Sequence, residues 1–205
     1  MVMVRSDRVK KIGIFGGTFN PVHHGHLINI ELIREQFNFD LIIFIPSKNP
    51  VHKTITDMIQ PSERFEMVKL AIAGNDYFQV SDIEIKRQSP SYTITTLAEL
   101  KTIYPGDELF LIIGSDSFNE LDTWKEYRKI LADYPLVIML RRTDTQLRKD
   151  LLSLVCRIDI FSGAMIDISS SMIRERVKNN FQIKYLTTDS VIDFIYSKGL
   201  YKIEQ

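Results

Sequence analysis

A single cysteine, Cys156, stands among 205 residues, so no intrachain disulfide can form and no zinc site can be built on paired thiolates. That scarcity fits a reducing compartment. Charge of one sign is lacking too. Lys plus Arg and Asp plus Glu both count 26, which leaves no global basic field to draw nucleic acid, local patches aside. No uninterrupted apolar run approaches the roughly 20 residues of a membrane span. Met1 to Lys11 is polar and basic with no apolar stretch behind it, so no secretory signal is expected. These absences together predict a cytoplasmic protein. Gly16-Gly17 is not the Gly-x-Gly-x-x-Gly dinucleotide fingerprint, and hydride transfer is therefore not supported.

What remains is ordinary for a folded chain, at 44% hydrophobic and 25% charged residues. There is no internal repeat, low-complexity tract or flexible linker. One domain over residues 1–205 is expected, with a small C-terminal helical subdomain at about 169–205.

The informative stretch is Gly16-Gly17-Thr18-Phe19-Asn20-Pro21-Val22-His23-His24-Gly25-His26, preceded by the apolar run Ile12–Phe15. An apolar run closed by two glycines reads as a buried strand feeding a tight turn. The turn's N–H groups can approach an anion where no Cβ intervenes. A helix is predicted over His24–Phe37, with Leu27, Ile30, Ile33 and Phe37 at helical spacing. Imidazoles at its positive end form a compact phosphate receptor, which suggests phosphoryl or nucleotidyl transfer. All four histidines, His23, His24, His26 and His52, fall within thirty residues of one another. Metal ligation is the rival reading, but a structural zinc site usually includes cysteine, and no metal site is expected.

Further strands are predicted at Leu41–Ile45, Phe78–Ile85, Leu109–Ile113, Leu136–Leu140 and Ile158–Phe161. Helices are predicted from Pro61, over Ile94–Ile103 and over Leu121–Leu131, with two more within Ser169–Gly199. Apolar strands separated by helices indicate an α/β fold, a doubly wound, Rossmann-like parallel sheet with helices on both faces. Ligands bind such sheets beyond the carboxyl ends of the strands. That rule gathers Gly16-Gly17, Ser47-Lys48 and Gly114-Ser115-Asp116 on one rim.

The first motif resembles the opening signature of the nucleotidyltransferase superfamily with the H/T-x-G-H motif. Ile168-Ser169-Ser170-Ser171-Met172-Ile173-Arg174 resembles its C-terminal I-S-S-T-x-I-R element, with Ser171 where Thr is usual. Within the superfamily the chain is most similar to the bacterial nicotinate-nucleotide adenylyltransferases. Pro46–Lys53, Arg64-Phe65-Glu66-Met67, Ser91-Tyr92-Thr93-Ile94 with Thr96-Leu97, and Gly114-Ser115-Asp116 leading to Trp124 carry that narrower likeness. It runs from about residue 11 to the C-terminus.

The resemblance implies transfer of the adenylyl group of ATP to nicotinate mononucleotide, with Mg²⁺ held mainly through the ATP phosphates. It implies His23, His26 and Arg174 as catalytic groups. ATP contacts are expected at Gly16, Gly17, Thr18, Phe19, His26, Gly114, Asp116, Ile168, Ser169, Ser171 and Arg174. His24 falls at the motif's variable place and reads as structural. Asn20 stands where Asp is common and is expected to shape the turn. Serine hydroxyls ahead of a helix are also simple caps, and Arg176 reads as a solvated charge.

For the acceptor the expected residues are Lys48, His52, Lys53, Tyr92, Thr93 and Trp124. The two lysines and His52 are either a solvated basic loop or steering groups for phosphate. Trp124, the sole tryptophan, either packs in the core or stacks on a pyridine ring. Tyr92 and Thr93 would offer N–H and hydroxyl donors to the nicotinate carboxylate. Arg64 either closes over this region or pairs with Glu63 or Glu66 on its own helix. Expected partners are ATP and the acceptor nucleotide, with no nucleic acid and no membrane; a homo-oligomer stays open. Other acceptors, nicotinamide mononucleotide or phosphopantetheine, would keep both signatures. The different-class alternative is a nucleotide-binding sensor that has lost catalysis, against which the intact His23, His26 and Arg174 argue, since a pure binder need not keep them. A class I aminoacyl-tRNA synthetase fragment would need an anticodon-reading domain and a basic surface.

Overall fold

The computed structural model describes residues 8–48, 58–140 and 146–202. Six strands, β1 Lys11–Gly17, β2 Leu41–Pro46, β3 Phe78–Val80, β4 Glu108–Gly114, β5 Leu136–Leu140 and β6 Ile158–Ser162, form one sheet. Its order is β3-β2-β1-β4-β5-β6 and every pairing is parallel. Strand order reverses between β1 and β4, which opens a crevice beyond their carboxyl ends.

The near-continuous apolar strands are explained by two covered faces, with successive side chains pointing to opposite sides. Phe15, Ile42, Phe44, Phe110, Ile112 and Val137 face one apolar layer, and Ile14, Ile43, Ile45, Leu111, Ile113 and Ile138 the other. Gly13 lies on the first face. A Cβ there would stand 2.5 Å from Ile42 Cδ1 and 2.7 Å from Ile112 Cδ1, so its bareness lets the flanking strands' isoleucines meet over β1.

Helices α1 His24–Phe37 and α2 Pro61–Ala71 cover the first face through Ile30, Ile33, Met67 and Val68. The short α3 Ile83–Lys86 follows β3, and α4 Thr93–Ile103 lies on the second face through Ile94, Leu97 and Leu100. Then come α5 Ser115–Asn119, α6 Tyr127–Asp133 and α7 Lys149–Leu152. The C-terminal helices, α8 Ser170–Lys178 and α9 Asp189–Ser197, send Ile173, Val177, Val191 and Ile195 into the same apolar layer as α1 and α2. No helix among the described residues is long and apolar enough to cross a membrane.

Two expected elements are corrected. The strand read over Phe78–Ile85 ends at Val80. Ser81 N–H closes the ladder on Phe44 O at 2.9 Å, and Ser81 Oγ accepts Ile83 N–H at 3.3 Å to begin α3. The helix read over Leu121–Leu131 is interrupted. A 3₁₀ turn at Leu121–Thr123 gives way to an extended Trp124, then to Glu126 in the left-handed region at φ 52°, before α6 starts at Tyr127. Both halves still bury their leucines on the second face, which is why the apolar spacing looked continuous.

Candidate active site

In the turn after β1 a residue with a side chain, and neither of the two glycines, takes the left-handed conformation. Phe19 has φ 49°, left-handed and costly for a side chain with a Cβ. Packing holds it, with its ring 5.5 Å from Phe15, 5.9 Å from Phe44 and 5.3 Å from His26, centroid to centroid. Gly17 makes room for that ring, since a Cβ there would lie 2.8 Å from Phe19 Cζ. Gly16 is different. It is exposed, and a Cβ on it would meet nothing within 4 Å. Its backbone is therefore open to a ligand on the rim.

His23 is the N-cap of α1, and its ring stacks on His26 with centroids 3.7 Å apart and planes at 29°. The His23 main-chain N–H donates to His26 Nδ1 at 3.3 Å. An accepting Nδ1 carries no proton, so in neutral His26 the N–H is on Nε2. Gly25 permits this closeness, because a Cβ would stand 3.0 Å from His23 Nδ1 and 3.5 Å from Ile168 O. The first turn of α1 holds no acidic residue, which leaves its positive end uncompensated from within. His24 is bound through its main chain, donating to Leu186 O at 3.0 Å.

The second signature is fastened directly to this turn. Arg174 Nη1 donates to Asn20 O at 2.9 Å, Ser170 Oγ to Pro21 O at 2.7 Å, and Thr187 Oγ1 to Val22 O at 2.9 Å. Tyr201 hydroxyl donates to Asn20 Oδ1 at 2.9 Å. Burial pushes that phenol well above its ordinary value, against the opposing pull of Arg174 and Arg64. Ser169 caps α8, accepting Met172 N–H at 3.1 Å, and Ser171 Oγ accepts from Arg174 Nη2 at 3.3 Å. Arg174 and Ser170 thus join α8 to the turn before α1, and Ile168 O lies beside Gly25.

Arg64 is turned to the interior, with no ion pair to Glu63 or Glu66 among the described residues. It is fully buried, donating to Thr18 O at 2.7 Å, Lys48 O at 3.0 Å and Ile59 O at 3.4 Å. The guanidinium clamps the β1 turn to the loop after β2. Its burial lowers its pKa from the usual arginine value.

Beside the turn lies a cleft of about 200 Å³. Gly16, Gly17 and Thr18 form one wall, and Tyr92, Thr93 and Trp124 another. Trp124 is half-buried, packing against the second apolar layer while also lining the cleft. Tyr92 is the N-cap of α4, whose start has no side-chain cap and no acidic first turn.

Lys48 is not part of the lining. Its ammonium donates to Arg87 O at 2.7 Å and its main-chain N–H to Ser91 Oγ at 3.1 Å, bracing the rim from behind. Gly114 is the N-cap of α5 and Asp116 lies in that helix's first turn; neither is in the lining. His52 and Lys53 lie outside the described residues.

The lining also includes Ser47, which the rim rule placed there, Thr96, and Glu84, Ser117, Glu120 and Lys125, which sequence reasoning did not single out. Glu84 is buried and accepts from Thr96 Oγ1 at 2.7 Å, while Arg87 Nη2 donates to the same hydroxyl at 3.0 Å. The sequence signal for the Glu84–Arg87 group was Thr96, within the stretch similar to the family; Glu84 was hidden in a segment read as strand.

The cytidylyltransferase-like family model matches residues 14–176. A protein named "Probable nicotinate-nucleotide adenylyltransferase" from Desulfitobacterium hafniense is 41% identical over 201 residues, covering 95% of this chain and 97% of the relative. One of the same name from Caldicellulosiruptor saccharolyticus is 39% identical over 197 residues, covering 94% and 99%. Among solved structures, Plasmodium falciparum nicotinic acid mononucleotide adenylyltransferase complexed with NaAD superposes with a TM-score of 0.79. It is 20% identical, with 94% of this chain and 97% of that chain covered, a likeness of fold.

Proposed function

Because the chain belongs to the cytidylyltransferase-like family and, within it, to the nicotinate-nucleotide adenylyltransferases, we propose that it transfers the adenylyl group of ATP to nicotinate mononucleotide. The products are deamido-NAD and pyrophosphate. One observation carries this reading. The Gly16–Thr18 turn is a wall of the aromatic cleft, and it runs on into the segment that holds the histidine pair and Arg174. A nucleotide on either side of that turn would have its phosphate at the same place.

The acceptor's phosphate is ionised at neutral pH, so its oxygen attacks the α-phosphorus of ATP without a general base. The bond from α-phosphorus to the bridging oxygen breaks, and pyrophosphate leaves in line. What the protein supplies is alignment and charge neutralisation. His26 Nε2–H and His23 donate to the α-phosphoryl oxygens as negative charge gathers there. Arg174 and the start of α8 receive the β- and γ-phosphates, the arginine through its planar fork. The pyridine ring stacks on Trp124, and its carboxylate meets the donors at the start of α4.

The groups gathered at the starts of α1 and α8 are N–H donors, imidazoles and a guanidinium, which suit phosphate. No cluster of three His, Cys, Asp or Glu among the described residues could hold a metal ion. In this reading Mg²⁺ would come with the ATP phosphates, with no protein side chain assigned to it, and would supply charge neutralisation.

Pyrophosphate release with ATP and Mg²⁺ tests the acceptor, comparing nicotinate with nicotinamide mononucleotide at equal concentration. A strong preference for the acid supports the proposal. Preference for the amide contradicts the acceptor, and silence with both contradicts the activity.

A further inference from the structure

Three carbonyls of the turn before α1 are tied down by groups from elsewhere in the fold. Arg64 holds Thr18 O, Ser170 holds Pro21 O and Thr187 holds Val22 O. Asn20, only 1% exposed, is held differently, because two groups from the C-terminal part of the chain meet on it. Its main-chain oxygen accepts from Arg174 Nη1 at 2.9 Å, and its side-chain Oδ1 accepts from the Tyr201 hydroxyl at 2.9 Å. Arg174 has little else to aim it. Nη2 reaches Ser171 Oγ at 3.3 Å, and Nε is buried with no hydrogen-bond partner among the described residues.

Tyr201 reaches Asn20 at a conformational cost. Beyond α9, Gly199 turns the chain back at φ 64°, and Leu200 N–H donates to Ile195 O at 3.0 Å. Tyr201 then also takes the left-handed region, at φ 63°, which disfavours a residue with a Cβ. Its ring packs on the apolar layer that α1, α2 and α9 share. Arg174 and Arg64 both pull on the phenol's proton, yet burial outweighs them and keeps the hydroxyl a donor. A backbone in a disfavoured region persists where its surroundings over-determine it, and such residues cluster at functional sites. What this one delivers is a single hydroxyl, to the residue that aims Arg174.

We infer that Tyr201 is a positioning residue for the phosphate chain of ATP: through Asn20 it sets the direction of the Arg174 guanidinium. The inference rests on the reading above, in which Arg174 receives the β- and γ-phosphates, and goes beyond it by assigning a role to a residue that acts only through another. An arginine fork binds two phosphate oxygens only when its plane is aimed at them. With Nη1 on Asn20 O that plane follows Asn20, and the hydroxyl on Oδ1 limits how Asn20 can shift. Arg64, Ser170 and Thr187 keep the rest of the turn in place when the hydroxyl is removed, so the effect falls on Arg174.

The test is Tyr201→Phe, which removes one oxygen and keeps the packed ring, assayed well below the variant's melting temperature. Its KM for ATP rises about fivefold, with kcat and KM for nicotinate mononucleotide within about twofold of wild type. Calorimetric titration with inorganic pyrophosphate and Mg²⁺ shows the same loss with no acceptor present. A cycle with Arg174→Ala identifies the path: in that background Tyr201→Phe costs ATP binding nothing further. An unchanged KM for ATP, an equal rise for both substrates, unchanged pyrophosphate affinity, or losses that add across the cycle would each overturn the inference. Should wild type turn over no pyridine nucleotide, the acceptor reading fails, and titration with ATP and pyrophosphate still decides the role of Tyr201. Binding that weakens in Tyr201→Phe, but no further once Arg174 is alanine, upholds it; undiminished binding, or none by wild type, ends it.

Discussion

The Tyr201 hydroxyl donates a 2.9 Å hydrogen bond to Asn20 Oδ1 across 181 residues of sequence, joining the chain's C-terminal end to the turn that carries the histidine motif. Asn20 O at the same residue accepts from Arg174. Removing the hydroxyl should cost about 1 kcal/mol of stability, or roughly 2–4 °C in Tm for a chain of this size. The pH dependence has a definite sign. A phenol whose folded pKa is raised by burial contributes stability that is complete below its ordinary value of 10.0 and drains away as pH rises beyond it. Urea unfolding from pH 8 to 11 should show wild type losing stability faster than Tyr201→Phe above pH 10. Parallel curves would contradict the link.

Arg64 is the second clamp on the same turn. Arg64→Met removes a buried cation together with the donors to Thr18, Lys48 and Ile59 carbonyls. The expected loss is on the order of 2–4 kcal/mol, because three partly buried carbonyls lose their donor and the space of a fully buried guanidinium must be refilled. Thermal unfolding measures it. A change under 1 kcal/mol would mean that the three carbonyls find other donors.

The stacked histidines divide binding from chemistry. His26→Ala should lower kcat by about 10²–10³ while ATP affinity changes only a few-fold, since an Nε2–H aimed at developing charge matters most in the transition state. His24→Ala, at a residue bound through its main chain, should leave kcat within about twofold by the same reasoning. Equal losses in kcat and ATP affinity for His26→Ala would remove it from the transition state.

Adjacent glycines should behave as opposites. Gly17→Ala drives a Cβ to within 2.8 Å of the Phe19 ring and should destabilise the fold. Gly16→Ala meets nothing in the protein within 4 Å, so its Tm should match wild type. Its KM for ATP should rise, because the added methyl occupies the rim. An unaltered KM would separate Gly16 from the substrates.

How much of this was legible in the sequence depends on the kind of signal. The strand–turn–helix around Gly16–His26 was readable because apolar runs, glycines and helical spacing are local. The strain at Phe19 was not, since a ring packed by Phe15, Phe44 and His26 depends on distant residues. Arg64 was misread for the reason charged residues usually are: an arginine on a helix is expected in solvent, and only the tertiary structure supplies three carbonyls. The break at Trp124–Glu126 carries no glycine or proline to announce it, and its apolar neighbours kept helical spacing. That break presents both Trp124 and Lys125 to the cleft.

The central claim is transfer of an adenylyl group to the acceptor's phosphate, and tracing the α-phosphorus tests it most directly. ATP labelled at the α-phosphorus is incubated with nicotinate mononucleotide, Mg²⁺ and the protein, and the products are separated. The account predicts label in deamido-NAD, with an equimolar amount of unlabelled pyrophosphate. Label that stays in ATP, or appears only in AMP or ADP, would contradict it.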